Sequence, residues 1–107
     1  MSRELEPGVV SLGATVAHQP QAIVSRTLIK KASGTVTVFA FDAGEGLSEH
    51  TAAFEALVLG IEGEAEISIS GTPHRLGPGE LLRLPAREPH AVQARSAFKM
   101  LLIMLKD

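Results

Sequence analysis

Short alternating segments, closed by Gly or Pro at close intervals, restrict this 107-residue chain to one class of architecture, an all-β sandwich or barrel. Ala65 to Ser70 carries the pattern most plainly. Ala65, Ile67 and Ile69 share one face while Glu64, Glu66 and Ser68 share the other, because successive strand side chains point to opposite sides. Thr35–Phe41 alternates in the same way, and Ala22–Lys30 precedes it. Glu49 to Glu62 reads as one extended run ending in a turn at Glu62 and Gly63. Tight turns are expected at Ser70-Gly71-Thr72 and at Gly77-Pro78-Gly79. Leu81–Leu84, His90–Ala94 and Ala97–Leu105 complete the strands, and no stretch holds a helical period over ten residues.

Composition then narrows the classes of function. The length suits a single domain, residues 1–107, with a core over about 22–105 and an N-terminal arm over 1–21. A formal charge of −2 leaves no basic footprint for nucleic acid and no polybasic segment for a membrane surface. The longest apolar run, Met100 to Leu105, is far too short to span a bilayer. With no cysteine, disulfides, thiolate metal sites and cysteine nucleophiles are excluded together. Met1–Pro7 is charged and no apolar run follows it, so the expectation is a soluble cytoplasmic protein.

The last strand is apolar on both sides. Phe98, Met100, Leu102 and Met104 form one face; Ala97, Leu101, Ile103 and Leu105 form the other, interrupted by Lys99. Such a strand needs cover on both sides. A homodimer, joined through strand 97–105 and the outer face of 57–61, supplies it. The alternative is that Val9–Leu12 folds over this face within one chain.

Two spaced half-motifs give a sharper clue. The first reads Gly44-x5-His50-x-Ala52-x3-Ala56-x6-Gly63 and the second Gly79-x5-Pro85-x-Arg87-x2-His90-x3-Ala94. Together with Ile61-Glu62-Gly63-Glu64-Ala65 and Leu84-Pro85-Ala86-Arg87, they resemble the small single-domain cupins of the RmlC-like type, over about residues 35 to 105. The resemblance implies a jelly-roll barrel, a double-stranded β-helix, whose lumen gathers His-x-His, a Glu and a later His on one metal ion. Ala52 stands where the second His is implied and Ala56 where the Glu is implied. Arg87 replaces a turn Gly, so that turn either avoids positive φ or is strained. The absence of Tyr and Trp argues against the sugar-nucleotide epimerase branch, whose acid is a Tyr. The length argues against the branch fused to a helix-turn-helix regulator.

If positions of equal parity face the lumen, His50, Ala52, Phe54, Ala56, Val58 and Gly60 form its wall, joined by His90 and Val92 from a neighbouring strand. Three of the first six are Ala or Gly, so the wall is trimmed where ligands usually stand. His50 and His90 hold a divalent ion (Mn, Fe, Ni or Zn) weakly, unless Glu55 or His74 is recruited as a third ligand. Glu55 has the wrong parity unless a bulge re-registers the strand. The bland alternative is a pair of hydrogen-bonded histidines lining a pocket. Two functions remain open: a module binding a small organic ligand in the lumen, and a metal-dependent oxygenase or isomerase of a small organic acid or enol.

Overall fold

The computed structural model describes residues 4–106; residues 1–3 of the expected arm, and residue 107, lie outside them. The order is β1 (Ile23–Lys31), β2 (Gly34–Phe41), β3 (Gly46–His50), β4 (Glu55–Glu62), β5 (Ala65–Ile69), β6 (Thr72–Leu76), β7 (Leu81–Leu84), β8 (His90–Ala94) and β9 (Phe98–Leu105). One 3-10 turn, Leu12–Ala14, precedes them. The strands form a five-stranded sheet, β1-β2-β9-β4-β7, and a four-stranded sheet, β3-β8-β5-β6. All the neighbouring pairs are antiparallel. The β5–β6 hairpin turns on Ser70 (φ 49°) and Gly71 (φ 82°) between the paired Ile69 and Thr72. Two successive positive φ values match the right-handed twist of the flanking strands, and Gly adopts one of them without strain.

The inner faces of the two sheets meet on Phe41, Val58, Ile67, Leu76, Val92, Phe98 and Met100. Alternation makes this possible, since each strand sends every second side chain inward. A second cluster lies on the outer face of the larger sheet, where Val38, Ala40 and Leu28 are buried under Val16 of the arm, with Leu5 and Leu12 alongside. The arm therefore covers part of the face for which a partner was expected. Val9 and Val10 do not take part and are exposed, which corrects the idea that Val9–Leu12 as a whole folds over it.

Two other expectations need correction. The ladder does not close into a barrel: among the described residues β1 and β7 are edges of one sheet, β3 and β6 of the other. The run from Glu49 to Glu62 is not continuous either. It breaks after His50 and resumes at Glu55, so residues 51–54 cross from the smaller sheet to the larger. A strand that must serve two sheets has to leave one ladder before entering the other.

Candidate functional site

The crossing at residues 51–54 brings one end of β3 over the space between the sheets. His50 closes β3 and His90 opens β8, and the two are direct Cα partners in the antiparallel ladder. Their rings meet edge to face, with centroids 4.3 Å apart and planes inclined by 70°. A register shift between Leu47 and His50 places this pair, since an extra residue in one strand re-aims the side chains beyond it. His50 is exposed and His90 is buried, so the pair runs from surface to interior.

Each ring is held by the backbone carbonyl two residues before it. His50 Nδ1 donates to the Ser48 carbonyl at 2.9 Å, and His90 Nδ1 donates to the Glu88 carbonyl at 3.3 Å. A carbonyl offers no proton, so both Nδ1 atoms carry the hydrogen and both Nε2 atoms of the neutral rings hold free lone pairs. Neither Nε2 finds a hydrogen-bond partner among the described residues. Burial pushes the His90 pKa below its ordinary 6.5, and the charge of His50 lowers it further; the Glu88 carbonyl opposes both. A cationic His90 is disfavoured because its surroundings are apolar and its neighbour is another imidazole.

The cavity beside the pair measures about 70 Å³. His50, Ala52, Phe54, Ala56, Val58, His90 and Val92 line it, as parity counting expects. Gly60 does not. Its backbone packs against Gly77, whose carbonyl oxygen would lie 2.1 Å from an added Cβ, so Gly60 serves strand contact and not the lumen. Sequence reading missed Phe39, Leu47, Leu84, Met100, Leu102 and Met104, which complete the wall. The alternation of β9 had put three of these on one face; that this face is the lumenal one comes only from its pairing with β2 and β4.

Neither proposed third ligand reaches the histidines. The Glu55 carboxylate accepts from Arg83 Nε at 2.7 Å and from the Ala86 N–H at 2.5 Å. Those bonds, the Ala86 amide first and Arg83 next, hold its pKa below the usual 4.5. Glu55 is thus a clamp between β4 and the loop after β7, on the side its odd parity indicated. His74 lies exposed on β6, at the far edge of the smaller sheet, and takes no part in the cavity. No cluster of three or more His, Cys, Asp or Glu suited to a metal occurs among the described residues. The three-His, one-Glu centre implied by the resemblance therefore does not fit this donor set.

Lys106 Nζ sits 5.8 Å from the centre of the ring of Phe54, which lines the cavity. Arg87 lies in the loop leading to His90, and its N–H donates to the Ala52 carbonyl at 2.7 Å. Its φ is 64°, so the turn keeps the left-handed geometry and carries the strain of a non-glycine residue. A larger depression, about 370 Å³, opens on the outer face of the smaller sheet beside Glu66, Ser68, Ala91 and Gln93. Its carboxylate, Glu66, is already paired with Arg95 at 2.8 Å.

Two facing antiparallel sheets with a histidine-bearing lumen define a jelly-roll of the RmlC-like type. The chain belongs to the cupin family: the family model for the cupin domain matches residues 37–105. Among solved structures it is similar to a conserved protein of unknown function from Streptococcus pyogenes, at 33% identity and TM-score 0.90, over 95% of this chain and 90% of that one. A cupin superfamily protein from Desulfitobacterium hafniense matches at 28% identity and TM-score 0.92, over 100% and 99%. A cupin 2 conserved barrel domain protein from Leptotrichia buccalis shares 41% identity at TM-score 0.85, over 89% of this chain but 46% of that longer one. Comparison with curated proteins gave no match.

Proposed function

We propose that this cupin binds a small organic acid or enol in its lumen, oriented by His50 and His90. The observation that carries this reading is the pairing of two Nε2 lone pairs beside an apolar cavity whose wall bears no carboxylate. A ligand hydroxyl, of a hydroxy acid or an enol, donates to an Nε2 atom, and its carbon skeleton enters among Phe39, Phe54 and Leu102. Lys106, whose amine lies 5.8 Å from the centre of the Phe54 ring in the cavity wall, supplies positive charge there, which favours an acid over an amine. Size is restricted: a water needs roughly 10–15 Å³ on this measure, so a cavity of about 70 Å³ takes about five such groups. Saturation-transfer NMR with a panel of two- to five-carbon acids and enols tests the idea. Binding is expected for the wild type and lost in Ala52→Phe, whose ring fills the cavity; equal binding by both proteins refutes this pocket.

The second reading, a metal-dependent oxygenase or isomerase with Mn, Fe, Ni or Zn on His50 and His90, draws support from the 4.3 Å contact of the two rings. Its weakness is the two-ligand set, since three or four protein ligands are usual. Thermal shifts with each metal against chelator separate the two readings.

A homodimer accompanies either reading. Leu57 pairs with Ile103 and Leu59 with Leu101 on the outer face of the larger sheet, and beside them Leu81 is 61% and Leu105 is 55% exposed. The arm's cluster reaches Ile61 and Leu101 but does not include Leu57, Leu59, Ile103, Leu81 or Leu105. A second copy related by a two-fold axis would lay the same stripe against itself, which accounts for apolar residues left open to water.

A further inference from the structure

We infer that the lumen is a site for a soft monovalent metal ion, Cu(I), held by His50, His90 and a methionine thioether. The chain has three methionines including Met1, and the other two, Met100 and Met104, line the same cavity as the histidine pair. Their placement follows from the strand register. Met104 lies directly opposite Ala56 and Met100 opposite Gly60, so each thioether projects beside a residue too small to cover it. Loss of the carboxylate position at Ala56 is what opens the lumen to Met104.

The histidines are set as ligands. Each gives its Nδ1 hydrogen to a backbone carbonyl, the outer-shell contact that fixes ring orientation and leaves Nε2 to bind. The ring centres lie 4.3 Å apart, close enough for one ion to be shared by both imidazoles. His50, exposed at the surface, provides the entry path.

Charge and softness select the ion. No carboxylate or thiolate lines the wall, so a divalent ion would enter an apolar space with two positive charges uncompensated, a severe desolvation cost. The charging cost rises with the square of the charge, so a monovalent ion meets far less of it. Thioether and imidazole are ligands that suit Cu(I), whereas Mn and Mg prefer oxygen donors. The competing account is that Met100 and Met104 only fill irregular gaps, as methionine often does; leucine would then replace them without effect on copper.

The test is anaerobic competition for Cu(I), delivered as its acetonitrile complex, between the protein and the chromophoric chelator bicinchoninate, with no organic acid present. It therefore stands or falls separately from the acid-binding reading. One equivalent per chain is expected to pass to the wild type. His50→Ala or His90→Ala should weaken binding by at least about 100-fold, the upper end of what losing one outer-shell contact costs, and Met104→Leu by about tenfold or more, its lower end. X-ray absorption of the wild-type complex should show a copper–sulfur shell, which needs no variant to fold. Failure of the wild type to take Cu(I) from the chelator overturns the inference. So does a spectrum with only nitrogen or oxygen neighbours, or full copper affinity in the Met100→Leu/Met104→Leu protein.

Discussion

Lys99, on the last strand, donates from Nζ to the carbonyl of Gly13 at 2.6 Å, tying the N-terminal arm to the outer face of the larger sheet across 86 positions of sequence. The amine is nearly buried and also faces Glu62 at 3.4 Å, whose side chain stays half exposed. A Cβ at Gly13 would come within 2.6 Å of the Glu62 carboxylate, which would have to swing aside from Lys99. Lys99→Met keeps most of the stem but strands the carbonyl, at a cost of about 1–3 kcal/mol. Urea unfolding should show that loss, and hydrogen exchange should rise in residues 11–16. Unchanged exchange in the arm would mean that the apolar contacts of Leu5, Leu12 and Val16 hold it without the tie.

Acidification should destabilise the fold in a window set by His90. Its folded pKa lies below the ordinary 6.5, so the unfolded chain binds more protons as pH falls. Its contribution is therefore complete above about pH 6.5 and is lost on descent through the folded pKa. Glu55, whose pKa is also depressed from 4.5, gives a separate loss only at lower pH. Unfolding free energy measured from pH 8 to 5 should fall, and His90→Gln should flatten that slope. NMR titration of the ring protons placing His90 above 6.5 would contradict this.

The turn at Arg87 gives a stabilising change. Left-handed backbone costs an L-residue about 1–2 kcal/mol, and glycine's greater freedom when unfolded gives back about 0.5–1 kcal/mol. Arg87→Gly should therefore raise stability by up to about 1.5 kcal/mol, seen in calorimetry as a higher Tm. A lower Tm would show that the Arg87 side chain contributes more than its backbone strain costs.

Rebuilding the implied ligand set should restore a divalent site. Ala52→His with Ala56→Glu adds two donors to a wall already holding His50 and His90. Without metal the double variant should be less stable, because Ala56 is buried opposite Met104 and an unpaired carboxylate there is costly. With Mn, Fe, Ni or Zn at 100 times its Kd it should recover about 2.7 kcal/mol. Thermal shift without and with each ion reads both effects, and no response to any of the four would show that the strands do not converge as the geometry indicates.

The apolar stripe predicts the assembly. Leu57→Lys, in the middle of the uncovered face, should convert a dimer to a monomer by sedimentation equilibrium while leaving circular dichroism unchanged. A wild type that sediments as a monomer at all concentrations would end the homodimer proposal.

Much of this molecule was legible in its sequence because strand side chains alternate locally. Leu81–Leu84 and His90–Ala94 have the bounds that patterning indicates, and most other strands differ by a residue or so at an end. Alternation likewise placed His50, Ala52, Phe54, Ala56 and Val58 on one side. It failed where neighbours far along the chain decide. Gly60 has lumenal parity, yet the close approach of Gly77 removes it from the wall. The run from Glu49 to Glu62 looks unbroken in sequence, but passage between two sheets divides it at residues 51–54. Nothing local indicates that Glu55 is claimed by Arg83 and the Ala86 amide, or that Met100 and Met104 share a cavity with the histidines. A residue's own strand sets which way it points; only the register of the strands packed beside and across from it sets what it meets there.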